Sequence, residues 1–319
     1  MLAAANCRAT ILIPTFRRPA MLEVAVQSCL AQNPHHLAGC EILVVDNSPE
    51  GSARGSIEGR PSHETVPVRY LHVPEPGIAR ARNAGVAAAR GPYIVFLDDD
   101  QEAASSEWLG AFLAQAERGA KAVFGPVRPE FEGGGVIVPA GASRMFQREL
   151  PAGDGEDVSR LKAYLGSGNS LFERTSCFVT GAPFPVELDG LGGEDSELIA
   201  TLTGRGIPLV WAAGALVREH VPLDRMTERS LARRSFRNGQ IRSLIQSRSN
   251  GYAGAKVAVW MAVGMAQAAL YGAGSLVLAK IQPETSADLR IRAWGGMGKV
   301  LWMKRFWQIS YPATAAEKP

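Results

Sequence analysis

The chain predicts an α/β fold: a mostly parallel sheet flanked by helices, with a helical C-terminal extension. Three observations carry that prediction. Short apolar stretches alternate with helix-spaced segments through the first half. Polar or acidic residues follow directly on several of those stretches. Beyond Lys256 the character changes, and Val257 to Ala279 holds no charged residue. Strands separated by helices imply right-handed crossovers and so parallel pairing. In such sheets a ligand lies beyond the carboxyl ends of the strands.

The elements follow in order. Ala9 to Pro14 reads as a short apolar strand. Pro19 to Gln32 reads as a helix, with Pro19 in its first turn and Met21, Leu22, Ala25, Val26, Cys29 and Leu30 at helical spacing. Glu41 to Val45 is the next strand and ends at Asp46-Asn47-Ser48. Val68 to Val73 is a third. Gly77 to Ala89 is a helix rich in Ala and Arg. Tyr93 to Leu97 is a buried strand, followed by a helix from about Ser106 to Arg118 and a strand from Ala122 to Val127. Glu132 to Asp157, rich in Gly and Pro, reads as a loop, either over a site or as a plain surface insertion. Gly166 to Phe172 is a small-residue turn entering a strand. Glu194 to Ile199 begins an acidic helix, and Ile207 to Trp211 is a last strand with His220 beyond it.

Composition sets limits. The chain has 319 residues, 46% hydrophobic and 20% charged, with a net charge of +3. That charge gives no global basic field, so nucleic acid is not an expected partner. Basic residues concentrate instead between Arg218 and Lys256, which suits phosphates, an anionic membrane surface or a solvated helix face. Cys7, Cys29, Cys40 and Cys177 include no C-x-x-C pair and read as reduced, mostly buried thiols. Met1 to Arg8 shows no signal-peptide pattern.

The strand at Tyr93 ends in Asp98-Asp99-Asp100. Carboxylates that close repel one another unless a cation joins them. A Mg²⁺ or Mn²⁺ there would keep open positions for phosphate oxygens. The alternative is a solvated acidic turn. Thr15, Asp46 and Asp98 to Asp100 each follow the carboxyl end of a strand, which places them along one edge of the sheet.

Five stretches then carry a resemblance: Ile13-Pro14-Thr15-Phe16-Arg17-Arg18, Val44-Val45-Asp46-Asn47-Ser48, Gly77 to Gly85, Phe96-Leu97-Asp98-Asp99-Asp100, and Gly192-Gly193-Glu194-Asp195-Ser196-Glu197. In order and spacing they resemble glycosyltransferase family 2, inverting enzymes of GT-A fold, over about residues 8 to 221. Arg233 to Gln240 resembles glucosyltransferases of succinoglycan-type exopolysaccharide synthesis. The resemblance implies nucleotide-sugar contacts from Thr15, Arg17, Asp46, Arg80, Asn83, Asp98, Asp99, Glu194 and Arg237. It implies metal ligation by Asp98, Asp100 and His220, and makes Asp195 the catalytic base. Several have a plainer alternative: Asp46 as a turn cap, Arg80 and Arg82 on a solvated helix face, Glu194 and Asp195 as acids that stabilise a helix start, His220 at the surface or core edge, and Arg234 and Arg237 solvated.

The expected protein is a hexosyltransferase, with UDP-glucose as donor and a growing glycan or lipid-linked oligosaccharide as acceptor. Residues 1–221 form its catalytic domain, 222–256 a basic helical segment, and 257–319 a membrane-associating region on the cytoplasmic face. In that last region Trp294, Trp302, Phe306, Trp307 and Tyr311 mix with Arg292, Lys299, Lys304 and Arg305, as suits a membrane interface. Two rivals stand beside it. A sugar-phosphate nucleotidyltransferase would open with a Gly-rich loop and a Lys, which Pro14 to Arg18 lacks. A catalytically inactive scaffold would not need Asp98, Asp100 and Asp195.

Overall fold

The computed structural model describes residues 7–60, 66–133, 140–248 and 253–308. Met1 to Asn6, Tyr311 and part of the Gly- and Pro-rich segment lie outside them. Ten strands are present among the described residues: β1 (Ala9–Thr15), β2 (Cys40–Asp46), β3 (Val68–His72), β4 (Tyr93–Phe96), β5 (Gln101–Ala103), β6 (Ala122–Phe124), β7 (Val127–Phe131), β8 (Ser170–Glu173), β9 (Leu209–Trp211) and β10 (Val217–Val221). Seven form the main sheet, in the order β3-β2-β1-β4-β8-β6-β9. Only β8 runs against its neighbours. β5, β10 and β7 make a second, three-stranded sheet.

β1 and β2 are buried at every position, as near-continuous apolar runs in a covered parallel sheet should be. Helix Pro19–Leu30 covers one face with Leu22, Ala25, Val26 and Cys29. The other face is covered by helices Ile78–Ala88 and Glu194–Gly204, through Ala79, Ala81, Val86, Leu198, Ile199 and Leu202. All four cysteines are free.

Two expectations are corrected. The segment from Ala122 to Val127 is not one strand. β6 stops at Phe124, and β7 leaves for the second sheet after Gly125-Pro126. Gly125 passes so close to the Ala215 carbonyl that a side chain there would collide with it. Pro126 has no N–H for a ladder. The Gly- and Pro-rich segment is also more than a loop. It contains helix Ala140–Phe146, and Arg148 pairs with Val127 through both backbone groups at 2.8 Å.

The C-terminal part forms three long helices, Glu228–Ser247, Ala253–Leu278 and Pro283–Val300. They cross at glycines. A side chain at Gly298 would run into the Phe236 carbonyl, and one at Gly264 would lie 2.6 Å from the Gly296 carbonyl. Leu231 and Ile291 join the first and last of these helices to Val221 and Phe146.

Candidate active site

A cleft of about 620 Å³ opens at the carboxyl ends of β1 and β4. Thr15, Asp98, Asp99, Asp100, Glu194, Asp195 and Arg237 line it, so these seven expected residues are brought together. Thr15 donates to Asp99 at 2.9 Å. Arg18 donates to both Asp99 and Asp100 at 3.1 Å, and Arg225 reaches Asp100 at 3.1 Å. Burial, then the neighbouring Asp100, pushes the Asp99 carboxyl up to about 6. Asp98 is also raised, first by burial, against the opposing pull of Arg82.

Asp195 approaches from the other side, on the first turn of helix Glu194–Gly204. Gly193 precedes that turn with φ +93°, close against Ile241 of the basic helix, where a side chain would be both strained and crowded. The turn Gly166–Gly168 touches both acids. A side chain at Gly166 would meet Asp195 Oδ2 at 3.0 Å, and one at Gly168 would overlap the Asp98 carboxylate. Arg148, a buried guanidinium, fixes this turn by donating to the carbonyls of Gly125, Gly166, Gly168 and Asn169. Burial draws its pKa down to about 10. Asn169 adds bonds to Pro126 and Ala215, both at 2.8 Å.

Not every expected residue reaches the cleft. Arg17 has a left-handed φ of +57° and turns outward to Glu50 at 2.7 Å, which leaves Arg18 facing the acids. Asp46 is fully buried under the sheet edge. It accepts from Ser48, from the backbone N–H of Ala53 at 2.7 Å and from Tyr70 at 3.0 Å, and so builds the turn on which Asn47 lines the cleft. Arg80 is half-buried and pairs with Glu75 and Asp189, while Asn83 clamps Phe184 through its N–H and carbonyl.

Arg82, not Arg80, points inward, because residues two apart on a helix face nearly opposite ways. Arg82 is 5% exposed, hydrogen-bonded to Glu194 and 3.3 Å from Asp98. Burial, and then Asp195, raises the Glu194 carboxyl to about 7 against the opposing pull of Arg82. His220 is likewise on the wrong side of its strand for the cleft. Its ring faces Glu102 at 3.3 Å and Glu130, while Glu219, its neighbour on β10, lines the cleft. Period-two alternation separates the two. Burial, with Asp100 and Asp98, lifts Glu219 to about 7.

The donor set fits a divalent cation. Asp98 and Asp100 offer hard oxygen ligands at one side of the cleft, and burial first, then the neighbouring acids, holds Asp98, Asp99 and Glu219 above their ordinary range, so a bound cation would favour their ionised forms.

A sheet of this order with acids at the β4 edge is the framework of nucleotide-sugar transferases of the GT-A type, and solved structures agree. The mannosyltransferase PcManGT from Pyrobaculum calidifontis, in complex with GDP-Man and Mn²⁺, superposes with a TM-score of 0.59 at 16% identity, covering 92% of this chain and 87% of that one. Residues 10–168 match the family model Glycosyl transferase family 2. The succinoglycan biosynthesis protein ExoM of Rhizobium meliloti is 33% identical over 232 residues, 71% of each chain. The chain therefore belongs to glycosyltransferase family 2 and is a glycosyltransferase. The GalNAc(5)-diNAcBac-PP-undecaprenol beta-1,3-glucosyltransferase of Campylobacter jejuni is 29% identical over 125 residues, 39% of each chain.

Proposed function

We propose that this glycosyltransferase inverts the anomeric centre as it moves glucose from UDP-glucose to a lipid-linked glycan of an exopolysaccharide or cell-surface polymer. One observation carries the reading: Asp98 and Asp100 face Asp195 across a single cleft. ExoM supports the pathway, and the Campylobacter enzyme supports both the glucosyl transfer and the diphosphate-linked lipid acceptor.

In this reading Asp98 and Asp100 hold Mg²⁺ or Mn²⁺. The bound ion supplies charge neutralisation to the departing diphosphate. Thr15 and Arg18 keep Asp99 and Asp100 in place through the bonds already given. Asp46 serves the nucleotide indirectly, by shaping the turn that presents Asn47. Asp195 accepts the proton of the acceptor hydroxyl as that oxygen attacks the anomeric carbon from the face opposite the diphosphate. One carboxylate base with no separate nucleophile gives inversion. Arg82 secures Glu194 beside it, so that Asp195 stays directed at the cleft. His220, turned away from the cleft, has no part in this set.

A thermal-shift panel of nucleotide sugars, with and without Mn²⁺, tests the donor. UDP-glucose with Mn²⁺ is expected to raise the melting temperature most, because ligands that bind the native state stabilise it by mass action. No shift with any nucleotide sugar sinks the proposal.

The membrane reading rests on an inside-out helix. Between Lys256 and Lys280 every exposed position of helix Ala253–Leu278 is Ala, Val, Leu or Met. Its inward face carries Gly264, Gln267, Tyr271 and Ser275. Leu270, Leu276 and Val277 are 70%, 80% and 70% exposed. The helix is long and apolar enough to cross a membrane. Yet helix Pro283–Val300 lies against it with Asp288, Arg290, Arg292 and Lys299, charges that favour lying in the interface over spanning it. Replacing Leu270 and Leu276 together with Asp is expected to abolish cosedimentation with phosphatidylglycerol vesicles and leave UDP-glucose binding intact. Unchanged cosedimentation would reject this face.

A further inference from the structure

A second cavity, of about 350 Å³, lies among the three C-terminal helices. Arg144, Arg242, Arg292 and Lys299 line it, and no carboxylate does. Asp288 lies behind the wall and pairs with Arg144 and Arg292, at 2.8 Å each. Arg242 and Lys299 have no carboxylate partner among the described residues. Both instead sit over the Trp260 ring, at 5.9 and 5.7 Å from its centroid. Lys299 is only 8% exposed, and its ammonium is held by Gln267. Burial and the nearby Arg242 both press its pKa below the usual lysine range. Two like charges gathered at one cavity, the buried Lys299 and the half-buried Arg242, cost free energy that an anion recovers.

The surroundings narrow the anion. Arg144, Asn238 and Arg242 also line the sugar-transfer cleft, so the two spaces adjoin. Gln267 and Tyr271 belong to the helix whose outer face is apolar and exposed. An anion here therefore has the cleft on one side and the lipid-facing helix on the other.

We propose that this cavity binds the phosphate or diphosphate of a lipid, with the hydrocarbon leaving along the apolar helix. The proposal rests on the lipid-linked acceptor reading and specifies how that acceptor is held. The carrier diphosphate and an anionic phospholipid headgroup share this chemistry, and the test separates them.

The full chain is assayed for binding of farnesyl diphosphate, farnesol and phosphatidylglycerol vesicles, as wild type, Lys299→Gln and Arg292→Gln. Metal-dependent UDP release from UDP-glucose is read in parallel. Neither Lys299 nor Arg292 lines the donor cleft, so both variants should keep it. Absence of UDP release in the wild type would reject UDP-glucose as the donor by itself, without bearing on the cavity. The expected result is farnesyl diphosphate binding weakened about tenfold by each substitution, with no farnesol binding. Weakened vesicle binding without farnesyl diphosphate binding assigns the same site to bilayer headgroups. If neither probe loses affinity in either variant, the site is overturned. Arg292 is exposed, so its substitution guards against a misfolded Lys299 variant, and Arg292→Lys should restore binding.

Discussion

Asp195→Asn is expected to lower glucose transfer by about 10²- to 10⁴-fold while leaving UDP binding unchanged. The amide keeps the size and the N-terminal helix position but cannot accept a proton. Single-turnover kinetics with purified acceptor, beside calorimetric titration of UDP with Mn²⁺, checks both halves. Loss of UDP affinity would mean that Asp195 holds the donor. Near-normal turnover would remove it as the base.

The second large effect is on stability. Arg82→Met would leave the buried Glu194 carboxylate and the half-buried Asp98 carboxylate facing each other across an apolar side chain. Breaking a buried ion pair from one side costs about 3–5 kcal/mol. Denaturant unfolding should therefore show a markedly lower midpoint with little change of slope. Adding Glu194→Gln should return part of that loss, because it removes one of the stranded charges. Equal destabilisation in the double variant would show that Arg82 acts through packing alone.

Glu194 also sets a pH dependence. Its carboxyl is raised in the folded chain to about 7, while the unfolded chain has the ordinary value of about 4.3. The native state then binds more protons than the unfolded state across that window. Its contribution to stability is fully present below the unfolded value and is lost as pH rises to about 7. Melting temperature should fall along this window, and Glu194→Gln should flatten the fall. A variant with the same slope as wild type would place the titration elsewhere.

The sheet was readable because its strands are apolar runs ending in polar residues, and β1, β2 and β4 start within a residue of where the pattern puts them. The acids were readable for the same reason: Asp98 to Asp100 follow a strand, and Asp195 follows glycines that bring it to a helix start. The arginines were not. Arg17 and Arg18 are neighbours of one type, and only the left-handed φ at Arg17 decides which of them faces Asp99. Arg80 and Arg82 differ by a helix face whose direction depends on where Glu194 lands, more than a hundred residues later. Arg148 gave no local signal, since its partners are four carbonyls on other segments. Glu219 and His220 were interchangeable until the register of β10 on β7 was known.

The glycine crossings of the last three helices have a mechanical consequence. Ile241 of the basic helix abuts Gly193, next to the Glu194-Asp195 pair, and the same helix is locked at Gly239 to the backbone of the last one. The C-terminal helices proposed above as a membrane anchor are thus joined to the reaction centre through directly packed backbone. If the anchor rests at a set depth in lipid, the reaction centre rides at a set height above it.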